Sequence, residues 1–524
     1  MKPNQETLIM TAPKNRRESS STFSNVLKTG CLTALPLISH RSIGGLLLAW
    51  MLGTYSTAAA EDARIIPVGQ RQLFLDDVAI ARIEHLKRTL HQLEKRGAVI
   101  RSANPSQTIQ TRTAPVWDPE AKHFKLWVMS TDEPLRISRD GLHWTAGPKP
   151  NLRIDHAVYD PHEKDPTRRF KAALLNEGFA VSPDGVQWTK LELPAIQSSD
   201  EGNFSYDPSE GLFIHSVKRG GPFGRSVAIA TSRDFKTWHD YGVVFHADEL
   251  DQEIGKRRIA ERLANPLLKQ TEYNTPEHYS VQIYNMGVFH YEGLYLGLPS
   301  IYHHTGKVPP GWPGFENLRL SPAMRDAVGK YGDYTGFYNI QLVTSRDLVH
   351  WQRVAERQPF LEASPLGAGA YDVQTIIGPS APVVRDDELW FYYTGIKHYG
   401  FVASGNEPGY DDYYPDKGAV CLAVLRRDGF VSLDAGTEPG TLLTKPFVLA
   451  GTTLHVNVDA KAGELGVTVL DGTNQIVAVS EPVTGDQTRA VLRWKSGDLD
   501  SVKGKTVSLQ FTIRNSRFYS FWCD

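Results

Sequence analysis

Cysteine is nearly missing from this sequence. Its 524 residues include three, Cys31, Cys421 and Cys523. So few thiols exclude a disulfide-built scaffold, and their spacing fits no zinc site. Neither sign of charge is in excess: 57 Lys and Arg stand against 59 Asp and Glu, a formal net charge of −2. A nucleic-acid binder would carry a basic surplus, so nucleic acid is not an expected partner. Long apolar runs are scarce too. The run IGGLLLAWMLGTY from Ile43 is too short for a comfortable membrane span. H-E-x-x-H, Walker and Rossmann phrases are absent, so metalloprotease and nucleotide chemistry have no support. No cofactor or metal is expected.

The amino terminus is a different material from the rest. Lys14, Arg16, Arg17, Lys28 and Arg41 precede the apolar run, and STAAAED follows it. Ala58 and Ala60 then form an A-x-A cleavage site. Residues 1–60 read as a secretory signal with a long polar leader; the rival reading is an uncleaved anchor. A mature protein starting near Glu61, secreted or periplasmic and off the membrane once cleaved, is the expectation.

What the chain has in plenty is one recurring phrase, Ser-x-Asp-x-x-x-Trp. It stands at Ser138–Trp144, Ser182–Trp188, Ser232–Trp238 and Ser345–Trp351, with a worn copy, RRDGFVSL, at Arg426. Asp suits a tight turn because it bonds its own backbone, and Gly after it tolerates positive φ. The Trp can then pack back on the hairpin. Such self-similarity marks a repeat fold.

An apolar stretch, a polar turn and a second apolar stretch recur with the phrase, turning at Asp118, Asp160, Asp207, Glu292 and Asp386. Each reads as a hairpin, and a hairpin plus an S-x-D turn has the strand content of one propeller blade. The fold class is therefore all-β, a five-bladed β-propeller over 61–435. A small β-sandwich over 441–524 is expected from the alternation in TLHVNVDAK, LGVTVLD, QIVAVS and TVSLQFTI. Three stretches depart from the repeat. Ile83–Leu93 has a weak helical pattern. The insertion from Ala247 places Ile254, Ile259, Leu263 and Leu267 at helical spacing. The Pro- and Gly-rich insertion from His303 to Tyr334 reads as a long loop.

Together these features resemble the five-bladed propeller glycoside hydrolases of families 32 and 43. They are most similar to secreted planctomycete-type proteins with a family 32 amino-terminal-like domain. LFLDD from Leu73, YEGLYLG from Tyr291, DGFVSLDA from Asp428 and TKPF from Thr444 carry that resemblance, which covers about 65–524. It implies a glycoside hydrolase acting on a carbohydrate. The family 32 phrases W-M-N-D-P-N-G, R-D-P and E-C do not stand here, so no catalytic role is carried over from them. The Asp-Pro pairs at Asp118, Asp160 and Asp207 read as turn residues.

Inner strands of a propeller point their starts at the central pocket, so the residues before each hairpin are the candidates. These are Arg112; Asp155 and His156; Asp200, Glu201 and Asn203; Glu277, His278 and Gln282; and Asp372 and Gln374. Paired carboxylates suit glycoside hydrolysis, one protonated and one ionised. Asp155, Asp200, Glu201 and Asp372 are the catalytic candidates, expected to converge on one pocket. Arg112, His156, Glu277 and His278 would bind substrate. His304 and Trp312 are rim candidates, Trp312 as a stacking platform or as loop packing. Asp77, after an apolar strand, is a pocket carboxylate or an ordinary turn residue. A non-catalytic glycan-binding propeller satisfies the same pattern, and only a pair of pocket carboxylates about 5–9.5 Å apart would separate the two.

Overall fold

In each S-x-D-x-x-x-W phrase the Asp carboxylate caps a turn. Oδ1 of Asp140 accepts the backbone N–H groups of Leu142 and His143, both at 2.8 Å. Ser138 Oγ accepts that of Gly141 at 2.9 Å, and the Trp144 indole donates to the Gly141 carbonyl at 2.9 Å. Asp184, Asp234 and Asp347 repeat the cap. The residue after each Asp is left-handed: Gly141 and Gly185 at φ 78° and 71°, but Phe235 and Leu348 at 56° and 67°. Two copies therefore use the residue this conformation favours, and two hold a bulky side chain there against its preference.

These turns join the third and fourth strands of successive antiparallel sheets. The computed structural model describes residues 64–271, 273–317, 322–367, 369–398 and 416–524; the amino-terminal leader lies outside them. From inside outwards, blade one is Val116–Asp118, His123–Trp127, Leu135–Ser138 and Thr145–Ala146. Blade two is His156–Tyr159, Phe170–Leu174, Gly178–Ser182 and Thr189–Lys190. Its middle strands are buried at every position, as strands covered on both faces must be. Blade three is Gly202–Asp207, Leu212–Gly221, Gly224–Ser232 and His239–Phe245. Blade four is Ser280–Tyr291, Leu294–Val308, Val343–Ser345 and Trp351–Arg353, with Asp333–Ile340 paired beside it. Blade five is Thr375–Ile377 continued by Val383–Arg385, then Glu388–Ile396 and Gly418–Arg426. Its outermost strand, Glu94–Arg101, comes from before blade one. Thr111 and Thr394 exchange two hydrogen bonds of 2.8 Å, closing the ring between blades one and five.

The expected five blades are thus present, and the carboxyl-terminal β layer follows them. That layer belongs to a single 13-stranded sheet. Its spine is the 18-residue strand Leu454–Asp471. The first half of the spine pairs with Val483–Val491 and Ser516–Cys523, the second with Thr506–Arg514 and Ile476–Ser480. One strand running through both layers makes the sheet continuous and curled. Short strands from residues 64–90 join it too. The worn repeat supplies its junction with the propeller. Asp428 is buried and accepts from Arg71 Nη1 at 2.5 Å, Tyr291 Oη at 2.6 Å and Ser520 Oγ at 2.6 Å.

Two local expectations are corrected. Ile83–Leu93 is not helical: Ile80–Glu84 and Lys87–Leu90 are strands, held by partners distant in sequence. The Pro- and Gly-rich insertion is not mainly loop. Strand Leu294–Val308 runs into it, Pro322–Tyr331 is a helix, and Asp333–Ile340 returns along the strand. The other insertion is a helix, Glu249–Ala264, capped by Asp248. Cys421 and Cys523 are free and buried.

Candidate active site

The hairpin carboxylates Asp118, Asp160 and Asp207 turn their oxygens to the backbone of the next residues, as turn residues should. At this end of the inner strands Pro119, Pro161, Pro208 and Pro382 help line a cavity of about 490 Å³. The polar residues gather six positions earlier, at the opposite end.

There Arg112 of blade one grips Glu201 of blade three. Nε donates to Oε2 at 2.6 Å and Nη2 to Oε1 at 2.9 Å. Both side chains are buried, 2% and 9% exposed. Tyr284 Oη, from blade four, donates to Oε1 at 2.9 Å. Asn203 donates from Nδ2 to the Arg112 carbonyl at 2.6 Å and accepts His215 Nδ1–H on its own carbonyl at 3.0 Å. Lys218 pairs with Asp200, and its ammonium sits 4.0 Å from the centre of the Tyr284 ring. Three blades meet in this network, so the closed ring is what brings it together.

The electrostatics follow from burial and pairing. Burial pushes the Glu201 carboxyl up, but the charge and hydrogen bonds of Arg112, helped by Lys218 and Tyr284, outweigh it and hold the pKa below the usual range. Burial also opposes the Arg112 charge, and Glu201 again prevails, raising its pKa. His156 is pushed down by burial, so its imidazole is neutral. His215 falls to about 4 for the same reason. Burial lowers the Lys218 ammonium against the pull of Glu201 and Asp200.

Asp155 belongs to this cluster. Its charge acts on both Arg112 and His156, and its carboxylate takes Arg153 at 2.9 Å. Asp200 lies on the rim, its side chain 65% exposed. Asp372 shares no contact with these groups. It pairs with Lys95 of the outermost strand of blade five at 2.6 Å and accepts from Tyr393 Oη at 2.9 Å. Phe360–Ala363 and Tyr371–Gln374 lie against blade five before the inner strand begins at Thr375, and Asp372 sits among them. Its spacing of fourteen residues from the hairpin, against five for Asp155, was the visible sign.

The remaining candidates are scattered. Glu277 and His278 are exposed in a short 3₁₀ turn before blade four. His304 donates from Nδ1 to the His278 carbonyl at 3.1 Å, and burial lowers its pKa. Gln282 accepts from Arg225 Nη1 at 2.7 Å. Gln374 donates to the Gly336 carbonyl at 2.9 Å. Trp312 packs edge-on against Tyr273 and Phe315. Asp77 is 73% exposed and pairs with Arg88, while Asp76 pairs with Arg346. Both line a separate cavity of about 430 Å³ beside the Ser345 turn. Tyr284, Lys218 and Asn285 were not expected. Tyr284 and Asn285 stand two against one opposite Ser300, a β-bulge that a pattern of alternation does not reveal. Among the described residues no group of three or more His, Cys, Asp or Glu is placed to hold a metal ion.

No protein-family model matches the sequence, and no curated protein does. Solved structures do match. A GH32 β-fructofuranosidase of Bombyx mori aligns at 8% identity and TM-score 0.34, over 85% of this chain and 94% of its own. A β-fructofuranosidase of Schwanniomyces occidentalis, complexed with fructosyl-erythritol, aligns at 9% and 0.32, over 82% and 97%. An N-acetylgalactosamine deacetylase of F. plautii, in complex with blood group B trisaccharide, aligns at 13% and 0.34, over 70% and 96%. The likeness is one of fold.

Proposed function

We propose that the protein is an exported carbohydrate-active enzyme that cleaves a glycosidic bond at the start of its inner strands. Glu201 and Asp155 are its acids. The observation that supports this is that both carboxylates act on Arg112, itself 2% exposed, at the point where inner strands meet. Glycoside hydrolysis needs one ionised carboxylate and one proton donor. Arg112 and Tyr284 keep Glu201 ionised, which suits the base or nucleophile. Asp155, whose charge acts on Arg112 and His156, is the second carboxylate. The neutral His156 can give or accept a hydrogen bond from a sugar hydroxyl. Asp200 and Asp372 take no part in the chemistry.

One observation favours a second reading, a propeller that binds glycans without cutting them: Arg112 occupies both oxygens of Glu201. Turnover and binding on a panel of polysaccharides and aryl glycosides distinguish the two. As an enzyme, the protein loses about 10²- to 10⁴-fold in rate in Glu201→Gln and Asp155→Asn while still binding sugar. Binding without turnover of any panel member would decide for the second. Export rests on the leader and its A-x-A site; amino-terminal sequencing of the released protein should begin near Glu61.

A further inference from the structure

Asn285 is 3% exposed, and neither its Oδ1 nor its Nδ2 has a hydrogen-bond partner. A buried primary amide with no partner at all is rare in a folded protein. Its place in the fold gives it a meaning. Counted from the residues that pair across each hairpin, Asn285 stands six before Tyr291, as Glu201 stands six before Asp207 and Arg112 six before Asp118. It therefore holds in blade four the position that the ion pair holds in blades three and one. Its neighbour across the bulge, Tyr284, already reaches Glu201. Two residues further along the same face, a side chain at Gly287 would run into Pro379 and Ser380 of blade five. Asn285 thus lies on the inner strand of blade four beside Tyr284, whose hydroxyl reaches Glu201. In blades two and three, His156 and Asn203 are similar: both imidazole nitrogens of His156 and the Asn203 Oδ1 lack a partner of ordinary geometry.

We propose that Asn285 is a substrate-positioning residue whose amide takes up sugar hydroxyls in the axial site. The proposal rests on the carbohydrate reading above. An amide offers two donors and two acceptors, and adjacent ring hydroxyls each offer both functions, so one Asn can hold a pair of them. An amide that no protein group engages is open to a ligand's hydroxyls, and protein stability is sacrificed to binding.

The variant that tests this is Asn285→Leu, of nearly the same shape, with Asn285→Asp as a polar control. Thermal unfolding is followed for the protein alone and with 100 mM glucose, galactose, fructose or arabinose; kinetics use 4-nitrophenyl glycosides. Asn285→Leu is expected to melt at the wild-type temperature or a few degrees above it. It should lose the upward shift given by whichever monosaccharide stabilises the wild type. KM should rise tenfold or more with kcat within a few-fold, and Asn285→Asp should recover part of the loss. A melting temperature several degrees below wild type, or an unchanged sugar shift and KM, would overturn the proposal. If no sugar shifts the wild type and no glycoside is cleaved, the carbohydrate reading fails. The melting temperature of Asn285→Leu then still shows whether the amide is unsatisfied in the free protein.

Discussion

Replacing Arg112 by Met should unmask what the ion pair does. The change removes two charge-assisted hydrogen bonds, of 2.6 and 2.9 Å, and strands a carboxylate that is 9% exposed. Breaking a buried pair from one side costs about 3–5 kcal/mol, because the remaining charge stays desolvated. Unfolding entropy is about 2.1 cal/mol/K per residue, so a body of this size shifts by about 1 °C per kcal/mol; the expected drop is about 3–5 °C at pH 7. The dependence on pH is the sharper test. In the wild type the Glu201 pKa is lowered, so its contribution is full above the unfolded value of about 4.3 and fades as pH falls through the folded one. In Arg112→Met burial acts with less opposition and raises that pKa instead. The penalty is then largest at neutral pH and is relieved when the carboxyl takes a proton. Calorimetry at pH 7, 6, 5 and 4.5 should show the deficit of the variant shrinking toward acid. Arg112→Met/Glu201→Leu should regain much of the loss at pH 7. A deficit that is independent of pH, or a double variant no more stable than the single one, would refute the reasoning.

Gly287→Ala should destabilise by about 3 kcal/mol or prevent folding, because the new methyl would fall 1.8 Å from the Pro379 carbonyl oxygen; soluble yield and melting temperature check it. Asp372→Asn should weaken the closure of blade five by about 2 kcal/mol in urea unfolding, through loss of its charge to Lys95, and leave turnover within a few-fold. Asp140→Ala removes the acceptor of two turn N–H groups and should cost about 1 kcal/mol by thermal unfolding without touching activity.

The blades were legible because their signal is local. An Asp that caps the N–H groups two and three residues on writes itself into a seven-residue phrase, and so do the strands on either side of it. That Glu201 and Asp155 lie close to Arg112 was legible for the same reason, each standing a short and similar distance before its hairpin. The place of Asp372 was not. Its partner Lys95 is 277 positions away (372 − 95), and the residues beside it lie against blade five without any periodic pattern. EKRGAVIR is a poor strand by itself, and only the edge offered by Gly418–Arg426 makes it one. Asn285 was hidden by the bulge, which shifts the alternation by one residue. The Pro- and Gly-rich insertion misled because its breakers bound short elements instead of excluding them.

The outermost strand of blade five also has a consequence for the order of events. Glu94–Arg101 leaves a ribosome before any other described strand of the propeller, yet Gly418–Arg426, its one neighbouring strand among the described residues, is made more than 300 residues later. At about 5–20 residues per second, that strand waits tens of seconds without its partner. Contacts so far apart in sequence form slowly in any case. Through that interval the chain can build separate blades but not a ring, and Arg112 cannot be locked to Glu201 in a finished axis. A chain kept open in this way cannot close its ring until its last fifth is being made.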